Sequence, residues 1–165
     1  MLSVAERGHV LSFSIEDLMR FHGPGSPGGV AHAYKVLERA LPLLSVDGPA
    51  ERREITIRTA FGGPGARDGI ECVTRAASDG RYVVDPSLAR PGLGRAMERF
   101  VFELGYRGRV VTLVVRAGLV TDAFIDLARK EGRSHEEERR LDAMKRDMAE
   151  RVMSRSAAEA YDVET

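Results

Sequence analysis

The chain has 165 residues, of which 43% are hydrophobic and 30% are charged, and this length and balance are typical of one globular domain with a buried core. Lysine and arginine together number 25, as do aspartate and glutamate, so the formal net charge is zero and the basic field that drives nucleic-acid binding is excluded. The one cysteine excludes an intrachain disulfide, and because no segment approaches the roughly 20 apolar residues of a membrane span, we expect a cytoplasmic protein with no membrane partner.

Two helices are predicted in the first quarter of the chain. The capping-box pattern of Ser14 and Asp17 predicts a short helix over 15–21. Ser26 followed by a proline is typical of a helix start, and apolar residues at a spacing of 3.6 extend this second helix over 27–44. The glycine-rich segment between the two is therefore a connection from helix to helix.

The middle of the chain is predicted to alternate strands and helices. Residues 54–61 alternate apolar and polar side chains, as a half-buried strand does. Residues 95–104 fit either a helix or a strand, and a strand is favoured because a glycine turn and a β-branched run follow. The predicted elements are a lead-in over 1–13 with an extended end, a strand over 54–61, a helix over 66–76, a strand over 81–85, a hairpin of strands over 99–104 and 109–116, and a helix over 121–131.

The last part of the chain is predicted to be a charged helix and a tail. Ser134 and Glu137 form a capping box that begins a helix reaching about residue 153. Its narrow apolar stripe, which includes methionines, is typical of a helix lying on a domain surface or on another copy of the chain. We therefore divide the chain into an α+β domain over 1–133 and a C-terminal helix and tail over 134–165, whose end we expect to fray. The stripe and the edge of the hairpin together predict a homodimer.

Two glycine-rich runs, residues 21–29 and 62–68, form the candidate site. The first run spells G-x-G-x-x-G from Gly23, but a helix precedes it and its two prolines remove backbone donors, so it does not predict a dinucleotide site. Each run leads into a helix N-terminus, where unpaired N–H groups and a partial positive charge suit a carboxylate, a phosphate or a metal-bound anion. The alternative is that both runs are tight connections whose glycines let helices pack closely.

Two motifs give the chain a resemblance to a known family. Residues 14–34, S-I-E-D-L-M-R-F-H-G-P-G-S-P-G-G-V-A-H-A-Y, and residues 66–74, A-R-D-G-I-E-C-V-T, resemble segments of the FmdE-like family, which takes its name from a component of formylmethanofuran dehydrogenase. The resemblance extends over about residues 14–133 in element order. It implies an α-β-α-β-β-β core with a mixed four-stranded sheet, to which this chain adds C-terminal helices. It also implies a metal, typically zinc, held by the histidines and cysteines of the motifs.

Most of that family's metal ligands are replaced in this chain. His22 keeps the first histidine, whereas Pro24 stands at the second histidine and Ser26 at the cysteine. Gly65 stands at the next cysteine, while Asp68 is retained. One imidazole and one hydroxyl do not make a zinc site, which takes about four N, S or O ligands. We therefore expect no metal and no cofactor, with a residual metal at His22 as the alternative.

The residues that remain define two hypotheses of function, and a third hypothesis is an oligomeric scaffold whose last helix mediates self-association. In the first, the protein binds a small anionic or carboxylate ligand at the two helix N-termini. In the second, it is an enzyme in which His22 with Asp68 or Glu71 performs acid–base catalysis, so whether it is an enzyme stays open. The residues expected to bind the ligand are Gly25, Ser26, Gly28, Gly63, Gly65 and Arg67.

Overall fold

The computed structural model describes residues 1–165 and contains six α-helices and eight β-strands, an α+β arrangement. The helices are α1 (Ile15–His22), α2 (Pro27–Leu44), α3 (Pro64–Thr74), α4 (Asp122–Arg129), α5 (His135–Met153) and α6 (Ala157–Ala160). The strands are β1 (Leu2–Glu6), β2 (His9–Phe13), β3 (Ala50–Glu51), β4 (Thr56–Thr59), β5 (Tyr82–Val84), β6 (Val101–Tyr106), β7 (Arg109–Val115) and β8 (Tyr161–Val163). None of the helices combines the length and the apolar content that crossing a membrane requires.

The larger sheet is mixed and has five strands in the order β5-β4-β6-β7-β8, rather than the four that the family resemblance implies. β4 and β5 are parallel, as expected for strands joined through the intervening helix α3, and the remaining neighbours are antiparallel. The hairpin of β6 and β7 confirms that residues 101–104 are a strand rather than a helix. The fifth strand is β8, which pairs with β7 through Leu113 and Val163.

A second, three-stranded sheet is built by the N-terminal residues, where only a lead-in with an extended end is predicted. β1 pairs antiparallel with β2 and parallel with the short strand β3. Arg7 and Gly8 both have positive φ angles, of 50° and 83°, which is the turn geometry that joins two strands through two residues. Leu2 and Val4 are buried on one face of β1, so the strand adds to the core.

Local sequence signals set both ends of the first helix and the start of the fifth. The predicted capping boxes of Ser14 with Asp17 and of Ser134 with Glu137 are both present, each with its two reciprocal hydrogen bonds. Gly23, with a φ of 87°, ends α1 and donates its backbone N–H to the carbonyl of Met19. These signals act between residues three or four positions apart, which is why they can be read before the fold is known.

The helix α2 is the centre of the core, since most of its side chains are buried and it packs against α3, α5 and the larger sheet. Leu141, Met148 and Val152 of α5 are buried, so the stripe of that helix packs inside the protein. β8 covers part of the hairpin edge, since it pairs with residues 113–115 of β7. The helix stripe and part of the hairpin edge are therefore occupied within one chain, and the homodimer stays a prediction.

The prediction of a frayed tail is wrong, because residues 154–165 contain α6 and β8. Tyr161, the first residue of β8, is completely buried and packs edge-on against Phe102 of β6. Its hydroxyl lies 2.8 Å from Nδ1 of His32 on α2, so one buried hydrogen bond joins the end of the chain to the central helix. Burial lowers the pKa of His32 to about 3, so its imidazole is neutral at physiological pH.

This bond gives a first testable prediction. Tyr161→Phe should lower the free energy of unfolding by about 1–3 kcal/mol, because it leaves the His32 nitrogen buried without a partner. Tyr34→Phe is the matched control, since Tyr34 is also buried but its hydroxyl makes no hydrogen bond within the protein. Urea unfolding of both variants measures the difference, and equal losses would contradict the role given to the bond.

Candidate functional site

The first turns of α2 and α3 lie against each other, and glycine is the residue that permits the contact. A Cβ atom added to Gly65 would overlap the carbonyl oxygen of Ser26 and lie 3.1 Å from the backbone nitrogen of Val30. One added to Gly29 would lie 2.9 Å from the backbone nitrogen of Ala66. Because these neighbours are backbone atoms that cannot swing away, the two glycine runs bring the helix starts together.

Both of these helix starts lack the side-chain cap that the other α-helices have. The capped helices are α1, α4, α5 and α6, whose N-terminal N–H groups donate to the hydroxyls of Ser14, Thr121, Ser134 and Ser156. Neither α2 nor α3 has such a bond. The backbone N–H groups of four buried residues, Gly28, Gly29, Gly65 and Ala66, have no acceptor within the protein. Two positively polarised helix ends therefore meet with their donors unused.

A cavity of about 480 Å³ lies beside the two helix starts. Ser26, Gly29 and residues 62–65 form one wall, and the other walls come from residues 95–100, α4 and α5. The large apolar side chains of the lining are Phe61, Phe100, Phe124, Ile125, Leu141 and Met148. The charged side chains of the lining are five cations, Arg95, Arg99, Arg129, Arg133 and Lys145, with no aspartate or glutamate. The cavity is thus apolar and positively charged.

The five cations differ in how they are held. Arg95 pairs with an aspartate of α4 at 2.9 Å, and Arg133 donates to the carbonyl groups that end α4, one of them at 2.9 Å. Lys145 of α5 donates to the carbonyl of Gly25 at 3.1 Å and so joins α5 to the loop before α2. Arg99 and Arg129 make no hydrogen bond and no ion pair, which leaves two guanidinium groups free at the cavity.

The structure also brings His22 and Asp68 together. Nδ1 of His22 lies 2.8 Å from a carboxylate oxygen of Asp68, so the end of α1 is joined to the first turns of α3. The His22 side chain is only 7% exposed, and its other nitrogen, Nε2, is buried without a partner. Gly25 lies over that nitrogen, since a Cβ atom there would be 3.7 Å from it. An imidazole held by a carboxylate, with its second nitrogen free, is suited to accept or donate a proton.

Glu71 is placed apart from this pair. Its carboxylate accepts hydrogen bonds from the hydroxyl and the backbone N–H of Ser78, at 2.6 Å and 3.0 Å. Arg75 also donates to it, at 3.2 Å. Asp68 and Glu71 therefore have different roles. Asp68 contacts His22 toward the N-terminal end of α3, whereas Glu71 orders the turn at the C-terminal end of that helix.

The residues expected to bind a ligand fall into two groups. Ser26, Gly63 and Gly65 line the cavity, whereas Gly25 covers His22 and Gly28 packs against α5. Arg67, the sixth of them, is exposed and lies 3.8 Å from Asp68.

The lining cations are absent from the sequence-based expectations. Two pairs of arginines spaced four residues apart, Arg95 with Arg99 and Arg129 with Arg133, are the signal that could have found them. That signal is weak, because the chain contains 25 lysines and arginines and most of them lie elsewhere.

No protein-family model matches the chain, and none of the curated proteins matches it either. The metal that the family resemblance implies does not fit the residues present, because no group of three or more His, Cys, Asp or Glu side chains comes together. His22 with Asp68 supplies two of the about four ligands that a zinc site takes.

The helix contact gives a second testable prediction. Gly65→Ala should lower the free energy of unfolding by about 1–3 kcal/mol, because the new methyl group overlaps backbone and forces the helix starts apart. Gly92→Ala is the matched control, since a Cβ atom there meets nothing within 4 Å. Thermal and urea unfolding of both variants measure the effect, and a Gly65→Ala protein as stable as the control would refute the contact.

Proposed function

We propose that the protein binds a small organic anion in the cavity beside the starts of α2 and α3. The observation that carries the proposal is the charge of the cavity, whose lining contains five cations and no carboxylate. Two of these cations, Arg99 and Arg129, are free to pair with a ligand. The apolar side chains of the lining suit the organic part of such a ligand.

The uncapped starts of α2 and α3 also favour a negatively charged ligand. The positive ends of two helix dipoles repel each other when they are in contact, and an anion beside them relieves that repulsion while accepting from their free N–H groups. Two of the four buried donors, the N–H groups of Gly29 and Gly65, line the cavity, and leaving them without acceptors would cost stability, because buried N–H groups are almost always paired. The proposal also agrees with the family resemblance, because this chain keeps the glycine loops of that family and replaces most of its metal ligands.

A third testable prediction follows from the two free arginines. The double variant Arg99→Ala/Arg129→Ala should bind anilinonaphthalene sulfonate, a fluorescent amphipathic anion, at least about tenfold more weakly, because charge-assisted hydrogen bonds are lost. Its stability should stay close to that of the parent, since neither side chain makes a hydrogen bond or an ion pair that the substitution would break.

Arg139→Ala is the control for this experiment, because Arg139 is exposed on α5 and does not line the cavity. Fluorescence titration at two salt concentrations measures the affinities, and the affinity of the parent should fall with salt, since Arg99 and Arg129 are exposed at the rim. A parent that does not bind the probe, or a double variant that binds it as tightly as the control does, would refute the proposal.

The pair of His22 and Asp68 favours a second candidate function, an enzyme that performs acid–base catalysis. The supporting observation is the free Nε2 of His22, opposite the nitrogen that the carboxylate holds at 2.8 Å. This arrangement orients the imidazole and leaves one nitrogen to exchange a proton with a substrate or a water molecule. Since Gly25 covers Nε2, catalysis requires the loop of residues 23–26 to move.

A fourth testable prediction separates the enzyme from a protein that only binds. If His22 is the base, the parent hydrolyses an anionic aryl ester such as para-acetoxybenzoate, and His22→Ala lowers kcat by about 10²-fold or more. Asp68→Asn should lower kcat less and leave KM unchanged, because it acts through the orientation of the imidazole. Equal kcat for the parent and His22→Ala would exclude His22 as the base, and absence of turnover by the parent would exclude hydrolysis of such esters by this pair.

A further inference from the structure

We infer that the ligand of the cavity is a phosphate monoester with an apolar body. This inference rests on the proposed function and deepens it, since it names the anion and the kind of molecule that carries it. It is carried by two features of the lining, the number of unused donors and the lack of uncharged polar side chains other than Ser26.

The unused donors exceed what a carboxylate can accept. Arg99 and Arg129 each present about five N–H donors in a planar fork. Gly29 and Gly65, which line the cavity, add two backbone N–H groups without acceptors. A carboxylate has two oxygens and one negative charge, whereas a phosphate monoester has three terminal oxygens and about −1.5 to −2 charges at neutral pH.

The charges lead to the same conclusion. Two free guanidinium groups and two helix ends, each equivalent to roughly half a positive charge, balance a dianion better than a monoanion. Arg95 and Arg133 add little to this sum, because each is paired with a carboxylate outside the lining, whereas Lys145 keeps its charge, since its partner is a neutral carbonyl group. Arginine and helix N-termini are also groups that proteins commonly use to bind phosphate.

The uncharged part of the lining favours a ligand that is apolar apart from its phosphate group. Besides backbone groups, the hydroxyl of Ser26 is the one uncharged polar group of the lining, and the chain as a whole contains no asparagine and no glutamine. A sugar or a nucleobase would bury hydroxyl and amino hydrogens with Ser26 as the one side-chain acceptor, and each donor left unpaired costs about 1–3 kcal/mol. Phe61 and Phe100, stacked with ring centroids 4.2 Å apart, instead offer an apolar surface. The volume of about 480 Å³ leaves room for such a body beside the phosphate.

Isothermal titration with four small probes tests this inference. The probes are octyl phosphate below its micelle concentration, octanoate, glucose phosphate and inorganic phosphate. Octyl phosphate should bind at least about tenfold more tightly than octanoate, because it uses more of the donors, and at least about tenfold more tightly than the two phosphates that lack an apolar body. Arg99→Ala/Arg129→Ala should lose most of this affinity, while Arg139→Ala should keep it.

Each contrary result overturns a defined part of the argument. Equal affinity for octanoate and octyl phosphate overturns the choice of phosphate and leaves the proposed function standing. If glucose phosphate or inorganic phosphate binds as tightly as octyl phosphate, the inference that the ligand carries an apolar body is wrong. If the protein binds vesicles that contain phosphatidic acid but does not bind octyl phosphate, the phosphate that it recognises belongs to a membrane surface and not to a free ligand. If neither the probes nor anilinonaphthalene sulfonate bind, the proposed function fails as well.

Discussion

The contact between the first turns of α2 and α3 is the constraint on which the candidate site depends. Gly29 and Gly65 lack a Cβ atom, so the two backbones approach to a separation that any other residue would prevent. The contact brings two uncapped helix ends to one place and leaves four buried N–H groups without acceptors. Everything else at the site, including the cations and the apolar side chains, surrounds this unsatisfied positive surface.

The cations around that surface have two roles. Arg95, Arg133 and Lys145 are engaged within the protein, and their bonds join the cavity walls to one another, as when Lys145 ties α5 to the loop before α2. Arg99 and Arg129 are unpaired, so they can respond to a ligand without breaking a bond that the fold needs. Substitutions of the engaged cations therefore test how the cavity walls are held together. Substitutions of Arg99 and Arg129 test the affinity for an anion separately.

The sequence predicted most of the local structure and little of the pairing between distant segments. The capping boxes at Ser14 and Ser134 could be read because each involves residues three positions apart. The tail was expected to fray because chain termini are often poorly ordered and the three residues of β8 have no strong pattern of their own. The tail is ordered by pairing with β7 and by the hydrogen bond between Tyr161 and His32, which lie 129 positions apart. Neither contact can be predicted from the local sequence.

The sequence by itself marked the two helix starts beside which the cavity lies, because glycine and proline act on the backbone at their own positions. It also supplied His22 and Asp68 as a candidate pair, although their distance of 2.8 Å is a result of the fold. The tertiary structure alone decided the charge of the site. The lining cations come from three segments far along the chain from the glycine runs, among 25 lysines and arginines that balance 25 acidic residues. The net charge of the composition is zero, and only the fold leaves Arg99, Arg129 and Lys145 at the cavity without an acidic partner.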